Sequence, residues 1–173
     1  MYRLLMVRYG ELGLKGKNKS QFINRLVKNI NYALTDIDTE PAESTWGRVM
    51  VPIDHNLPQV LERLQRVFGI YSMSPVLQVE KEMPAICQGA YQMLLQALPQ
   101  GGSFKVESRR SDKRFPLTSP EISKQAAAYI FDQVGENSVY QADMHHPQNV
   151  IQIEVREEGA YVYGCLLYTS RCV

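Results

Sequence analysis

The sequence predicts an α+β protein built from two consecutive domains, residues 1–77 and 78–164. Three observations carry this reading. Apolar residues recur at spacings of three and four in some segments and of two in others, so helices and strands both occur. In the first 77 residues these segments follow the order strand, helix, strand, strand, helix, strand. The 173 residues, 45% hydrophobic and 21% charged, suffice for two small globular domains and are too apolar for a disordered chain.

Residues 2–7 form an apolar first strand, and Gly10 and Gly13 break the chain into a loop running to Lys19. A helix follows with Phe22, Ile23, Leu26, Val27, Ile30, Ala33 and Leu34 on one face. Asn18 is placed to cap it, with Gln21 three residues on. Residues 40–45 and 49–53 read as paired strands joined at Trp46-Gly47-Arg48. A second helix spans residues 57–68, with Leu57, Val60, Leu61, Leu64, Val67 and Phe68 inward and Gly69 closing it. Residues 70–79 are extended, with Pro75 marking an edge or bulge. This order is the ferredoxin-like arrangement, a fold that hosts many functions and decides none.

Beyond residue 78, Ile86, Cys87, Ala90, Met93, Leu94 and Ala97 mark a helix from Met83 to Leu98, ended by Pro99-Gln100-Gly101-Gly102. Residues 103–108 alternate as a strand, with Phe104 and Val106 on one side. Ser119 before Pro120 starts a helix that runs to Val134; Thr118 with Glu121 offers an alternative capping box. Ile122, Ala126, Tyr129, Ile130 and Phe131 are its buried candidates. Residues 150–155 and 160–163 form a hairpin around Glu157-Glu158-Gly159. The last nine residues, Cys165–Val173, match what sequencing-adapter DNA encodes; they are read as a scar, with the natural frame expected to continue past Gly164.

A formal net charge of +1 conceals segregation. Residues 1–28 hold Arg3, Arg8, Lys15, Lys17, Lys19, Arg25 and Lys28 against Glu11 alone. Residues 105–114 hold Lys105, Arg109, Arg110, Lys113 and Arg114 against Glu107 and Asp112. Each cluster precedes a helix, whose N-terminal dipole disfavours exposed cations by about 0.3–1 kcal/mol each. Glycines, free backbone N–H groups and lysines at that place describe an anion site, most naturally for phosphate. An ATP-binding P-loop is excluded: Glu11 stands where its first glycine belongs and Asn18 where its magnesium-binding hydroxyl belongs. Phe115, before Pro116, could stack on a base or plug the core. Cys87, Cys165 and Cys172 form no disulfide framework or metal pair, and Cys87 reads as a small buried hydrophobe. His145-His146 lack a ligand partner at metal spacing. No apolar run approaches the ~20 residues of a membrane span, and no export signal opens the chain, so it reads as cytoplasmic.

Arg8-Tyr9-Gly10-Glu11 with Lys15-Gly16-Lys17-Asn18 resembles the opening of the tRNA 4-thiouridine synthetases, tRNA sulfurtransferases also tied to thiamine thiazole synthesis. Phe68-Gly69-Ile70 matches the end of that family's ferredoxin-like domain. Phe104-Lys105-Val106, Arg109–Pro116, Ser119-Pro120-Glu121, His146-Pro147 and the strand from Val150 to Arg156 resemble its THUMP domain, an α/β RNA-binding module. The resemblance covers residues 1–164 and implies a tRNA-binding N-terminal fragment that grips the acceptor end. It implies tRNA contacts from Arg8, Lys15, Lys17, Asn18, Lys19, Arg109, Arg110, Lys113, Arg114 and Phe115. In the family, ATP and Mg²⁺ act on a further domain that thiolates uridine 8 with persulfide sulfur from a donor such as a cysteine desulfurase. That domain's Ser-Gly-Gly-x-Asp-Ser loop is absent from this sequence, so the fragment itself is expected to hold no cofactor, metal or catalytic residue. A homodimer of the full protein is compatible with the resemblance. The alternatives are a THUMP region from a tRNA methyltransferase or deaminase, or a stand-alone acylphosphatase-like enzyme using Arg8 and Asn18.

Overall fold

The computed structural model describes residues 3–10, 17–45, 47–164 and 168–169; Lys17, Tyr168 and Thr169 are described by their backbone alone. The chain divides between Pro75 and Val76 into two units.

The first unit holds β1 (Leu4–Tyr9), α1 (Lys17–Ala33), β2 (Glu43–Thr45), β3 (Arg48–Pro52), α2 (Leu57–Leu64) and the first residues of β4 (Ile70–Val79). Its strands lie in the order β2-β3-β1-β4, with β3 antiparallel to both β1 and β2, the ferredoxin-like topology that the element order predicts. The inward faces of α1 and α2, with Leu34 just past α1, bury Leu26, Ile30, Leu34, Val60 and Leu64 against Leu5, Val7, Val49, Val51 and Met73. Each such side chain contributes roughly 1.5–3 kcal/mol by leaving water. Thr45 pairs with Arg48, and Gly47 in the two-residue turn has a φ of 75°, the positive value such a tight hairpin requires.

Two expectations here are corrected. α1 begins at Lys17, so Asn18 lies inside its first turn, exposed, and does not cap it. α2 stops at Leu64, after which Val67 N–H reaches back only to Leu64 C=O, at 3.0 Å. That tighter turn breaks the 3.6-residue phase, and Phe68 emerges 88% exposed instead of inward. Gly69 follows with a φ of 97°, where an added Cβ would stand 3.0 Å from the Phe22 ring.

The second unit takes the last residues of β4 and adds α3 (Met83–Ala97), β5 (Gly102–Arg110), α4 (Ser119–Val134), β6 (Tyr140–Ala142), β7 (Asn149–Val155) and β8 (Ala160–Tyr163). The order is β4-β8-β7-β5-β6, with β5 parallel to β6 and β7, and β8 antiparallel to β7 and β4. Ile86, Met93 and Leu94 of α3 and Ile122, Ala126 and Ile130 of α4 are buried, as are Phe104, Ile151 and Ile153 of the sheet. Cys87 is buried among them, and loss of solvation pushes its thiol pKa up. Phe131 stays 37% exposed, its ring 5.5 Å from that of Phe104. Thr118 caps α4 through the capping box: its N–H and hydroxyl both donate to Glu121 Oε2, at 2.7 and 2.6 Å. A short β9 (Tyr168–Thr169), within the stretch that reads as an adapter-encoded scar, pairs antiparallel with Ser72 and Met73 of β4. Among the described residues, no helix is long and apolar enough to cross a membrane.

Candidate nucleic-acid interface

In the first unit, β1 presents Arg8, whose guanidinium donates to Ser74 Oγ at 2.8 Å. Lys15 lies outside the described residues, as does the side chain of Lys17. Asn18 and Lys19 are exposed in the first turn of α1, which contains no acidic residue. Lys19 has no ion-pair partner among the described residues. A helix start that carries cations and no carboxylate leaves the dipole's positive end uncompensated, as an anion-binding turn does.

The second basic segment is sorted by its partners into three kinds of cation. β5 extends through Arg110, two residues beyond the expected strand, because its backbone pairs in parallel with β7 up to Arg110–Val155. Alternation along the strand then sends Arg109 and Arg110 to opposite faces. Arg110 turns inward: its guanidinium donates to the carbonyls of Phe115 and Leu117, at 3.1 and 3.3 Å, and its backbone N–H to Ser119 Oγ at 3.0 Å. It ties strand, loop and helix start together. Arg114 donates through Nε to Asp112 Oδ1 at 3.1 Å and through its terminal nitrogen to Glu157 Oε1 at 2.6 Å. Arg109 and Lys113 are exposed and have no ion pair among the described residues.

Phe115 is 6% exposed. It takes the core-plug alternative that the sequence left open beside stacking on a base. Asp112, whose side chain is 4% exposed, organises the loop from beneath. Lys81 donates to it at 2.7 Å, and the backbone N–H of Arg114 at 3.0 Å; together with the Arg114 guanidinium they hold its carboxyl far below the usual range. Lys105 is neutralised by Glu107 at 2.7 Å, and this hydrogen bond, with one from Gln152, lowers the Glu107 pKa.

Beside this loop lies a cavity of about 760 Å³, bounded by β5 from Phe104 to Arg109, the α4 residues Ser119, Ser123, Lys124, Ala127 and Phe131, Ala142 at the end of β6 and Met144 just past it. It exists because β6 pairs with β5 only from Gly102 to Phe104, leaving the rest of that strand edge without a neighbour among the described residues. Arg109 and Lys124 bring positive charge to a mixed lining, in which Lys105 and Glu107 offset each other. Lys124 escaped the sequence reasoning, although Ser119, Ser123, Lys124 and Ala127 share one helical face at spacings of three and four. His145 and His146 donate their backbone N–H groups to Asp143, both at 2.9 Å, so that carboxylate serves a turn. No group of three metal-ligating side chains occurs among the described residues.

Comparison with known proteins places both units. Residues 4–74 match the ThiI ferredoxin-like domain and residues 80–164 the THUMP domain. The chain carries a ThiI ferredoxin-like domain followed by a THUMP domain. Curated relatives include probable tRNA sulfurtransferases from Moorella thermoacetica, 43% identical over 96% of this chain, and from Natranaerobius thermophilus, 41% identical over 94%. The chain spans about two fifths of their length, 42% and 41%. A crystal structure of a 4-thiouridine synthetase–RNA complex with bound ATP superimposes with a TM-score of 0.80 at 28% identity, covering 95% of this chain and 41% of that one. PH1313 from Pyrococcus horikoshii gives 0.76 at 31% identity, over 94% of this chain and 53% of that one. TrmN from Thermus thermophilus, at 20% identity and a TM-score of 0.60, shares the fold. The ThiI ferredoxin-like domain thus contributes the Lys19 turn, and the THUMP domain contributes Arg109, Lys113 and the cavity beside β5.

Proposed function

We propose that this chain binds tRNA, using the first turn of α1 in the ThiI ferredoxin-like domain and the β5–α4 segment of the THUMP domain. The observation that carries the reading is the pairing state of the THUMP cations: Arg109 and Lys113 are exposed without carboxylate partners among the described residues, and Arg109 lines a cavity whose wall also includes Phe131 and Met144. Exposed cations supply phosphate contacts, and a cavity of mixed charged and apolar lining at an open strand edge can receive unstacked bases of a single-stranded acceptor end. The RNA in the superimposable 4-thiouridine synthetase complex supports the same polyanion.

In the complete protein this module serves ATP-dependent thiolation of uridine 8, with a cysteine persulfide as sulfur source and a parallel role in sulfur supply for thiamine. ATP and Mg²⁺ belong to a domain outside this chain. The residues present do not fit them, since the loop before α1 lacks the P-loop glycine and hydroxyl and no described cluster could hold a metal. A cytoplasmic location and dimerisation of the complete protein go with this reading.

The test is the affinity for a transcribed tRNA, measured by fluorescence anisotropy across a salt series. Counterion release requires binding to weaken steeply with salt. Arg109→Ala and Lys113→Ala should each weaken binding and reduce the salt slope by about 1. Equal affinity of the wild type and the double variant at every salt concentration sinks the assignment.

A further inference from the structure

One exposed cation of the THUMP loop, Arg114, is not free. Arg114 projects into solvent, 70% exposed, yet both faces of its fork are engaged: Nε by Asp112 and the terminal nitrogen by Glu157. The two carboxylates differ in kind. Asp112 is buried and held by Lys81, and Lys81 also donates to the Glu157 carbonyl at 3.0 Å, which pins the β7–β8 turn beside the loop. Glu157 reaches Arg114 from that turn with a side chain 73% exposed.

We infer that the Glu157 carboxylate is a built-in stand-in for an RNA phosphate, occupying Arg114 in the free protein and yielding it when tRNA binds. This rests on the proposed tRNA-binding reading and states how that site is held until then. Carboxylate and phosphate oxygens both accept charge-assisted hydrogen bonds from guanidinium nitrogens. The exchange preserves charge balance, since Lys81, Asp112 and Arg114 carry one net positive charge that either anion neutralises. An exposed ion pair is held weakly enough to be displaced, whereas the buried Asp112 contact keeps Arg114 oriented throughout. Asp112 and Lys81 are accordingly positioning residues, and Glu157 is a competitor that raises the threshold for binding.

The experiment is a double-mutant cycle on the 173-residue chain with a transcribed tRNA at fixed salt, using Glu157→Gln, Arg114→Gln and both together. Glu158→Gln, one residue along the same turn, is the control for loss of charge alone. Glu157→Gln should tighten binding roughly two- to fivefold, the range of an exposed pair, and clearly more than Glu158→Gln does. The gain should vanish when Arg114 is already Gln. A gain of the same size in the Arg114→Gln background, or equal gains from Glu157→Gln and Glu158→Gln, would make Glu157 a mere background charge and overturn the inference. If Glu157→Gln changes nothing while Arg109→Ala still weakens binding, the inference fails and the tRNA reading stands. If no variant alters affinity and no salt dependence appears, both fail.

Discussion

Phe115 and Asp112 are the two residues on which the basic loop of the THUMP domain is built, one by filling volume and the other by ordering charge. Replacing Phe115 by Ala leaves a void beneath the loop, and buried phenylalanines cost about 3–5 kcal/mol on such truncation. A fall in melting temperature of roughly ten degrees or more is expected, checked by calorimetry, with no change in the salt slope of whatever folded protein binds tRNA. A Phe115→Ala variant with native melting and lost affinity would return the ring to the RNA. Asp112 makes a pH prediction. Its carboxyl is depressed in the folded state by Lys81 first and Arg114 next, so its contribution to stability is fully present above the ordinary aspartate value. That contribution shrinks as pH falls below about 4 and is gone once the folded carboxyl is protonated. Asp112→Asn should therefore lower stability at pH 7 and flatten its acid dependence, as measured by urea unfolding at a series of pH values. Unchanged acid dependence would mean that the Lys81 and Arg114 contacts are not maintained in solution.

At the scale of elements, the start of α1 sets stability against binding. Lys19 lies in the first turn with no acidic residue to offset it. Lys19→Glu should stabilise the ferredoxin-like domain by about 0.3–1 kcal/mol while weakening tRNA binding. Opposite signs in a thermal melt and a binding assay are the expected result; a stabilised variant with unchanged affinity would remove this turn from the interface. Elements were also what the sequence displayed most clearly. α1, α3 and α4 follow from apolar spacing and punctuation because those signals lie within a few residues of one another. The end of α2 does not, since a helical pattern continues in the sequence past Leu64 while the chain tightens into the i→i−3 turn at Val67 and then takes a φ of 97° at Gly69. β6 was missed: three residues without periodicity become a strand because β5 offers them an edge. The candidate site was legible as a count of charge and not as a set of free charges. Arg114 meets Glu157 from 43 positions away and Lys81 meets Asp112 from 31, and nothing local marks either pair.

For the molecule as a whole, a net charge of +1 says little about affinity for a polyanion, because charges separated by more than about 8 Å are screened at physiological salt. What matters is how many uncompensated cations one tRNA can engage at once. The ferredoxin-like domain offers Lys19 and the THUMP domain offers Arg109 and Lys113, so a tRNA held by both is a bivalent ligand. Its second contact then forms at a high effective concentration set by the chain that joins the domains. Neutralising Lys19 or Lys113 alone, each to Gln, should cost about 1 kcal/mol, roughly fivefold in affinity. Lys19 and Lys113 share no partner among the described residues, so the two costs should add and the double variant should lose roughly 25-fold, with a salt slope shallower by about 2. A tRNA gripped by the THUMP domain alone would instead leave Lys19→Gln indistinguishable from wild type in both affinity and slope. The same four-protein salt series therefore decides whether the ferredoxin-like domain shares the load or only accompanies its neighbour.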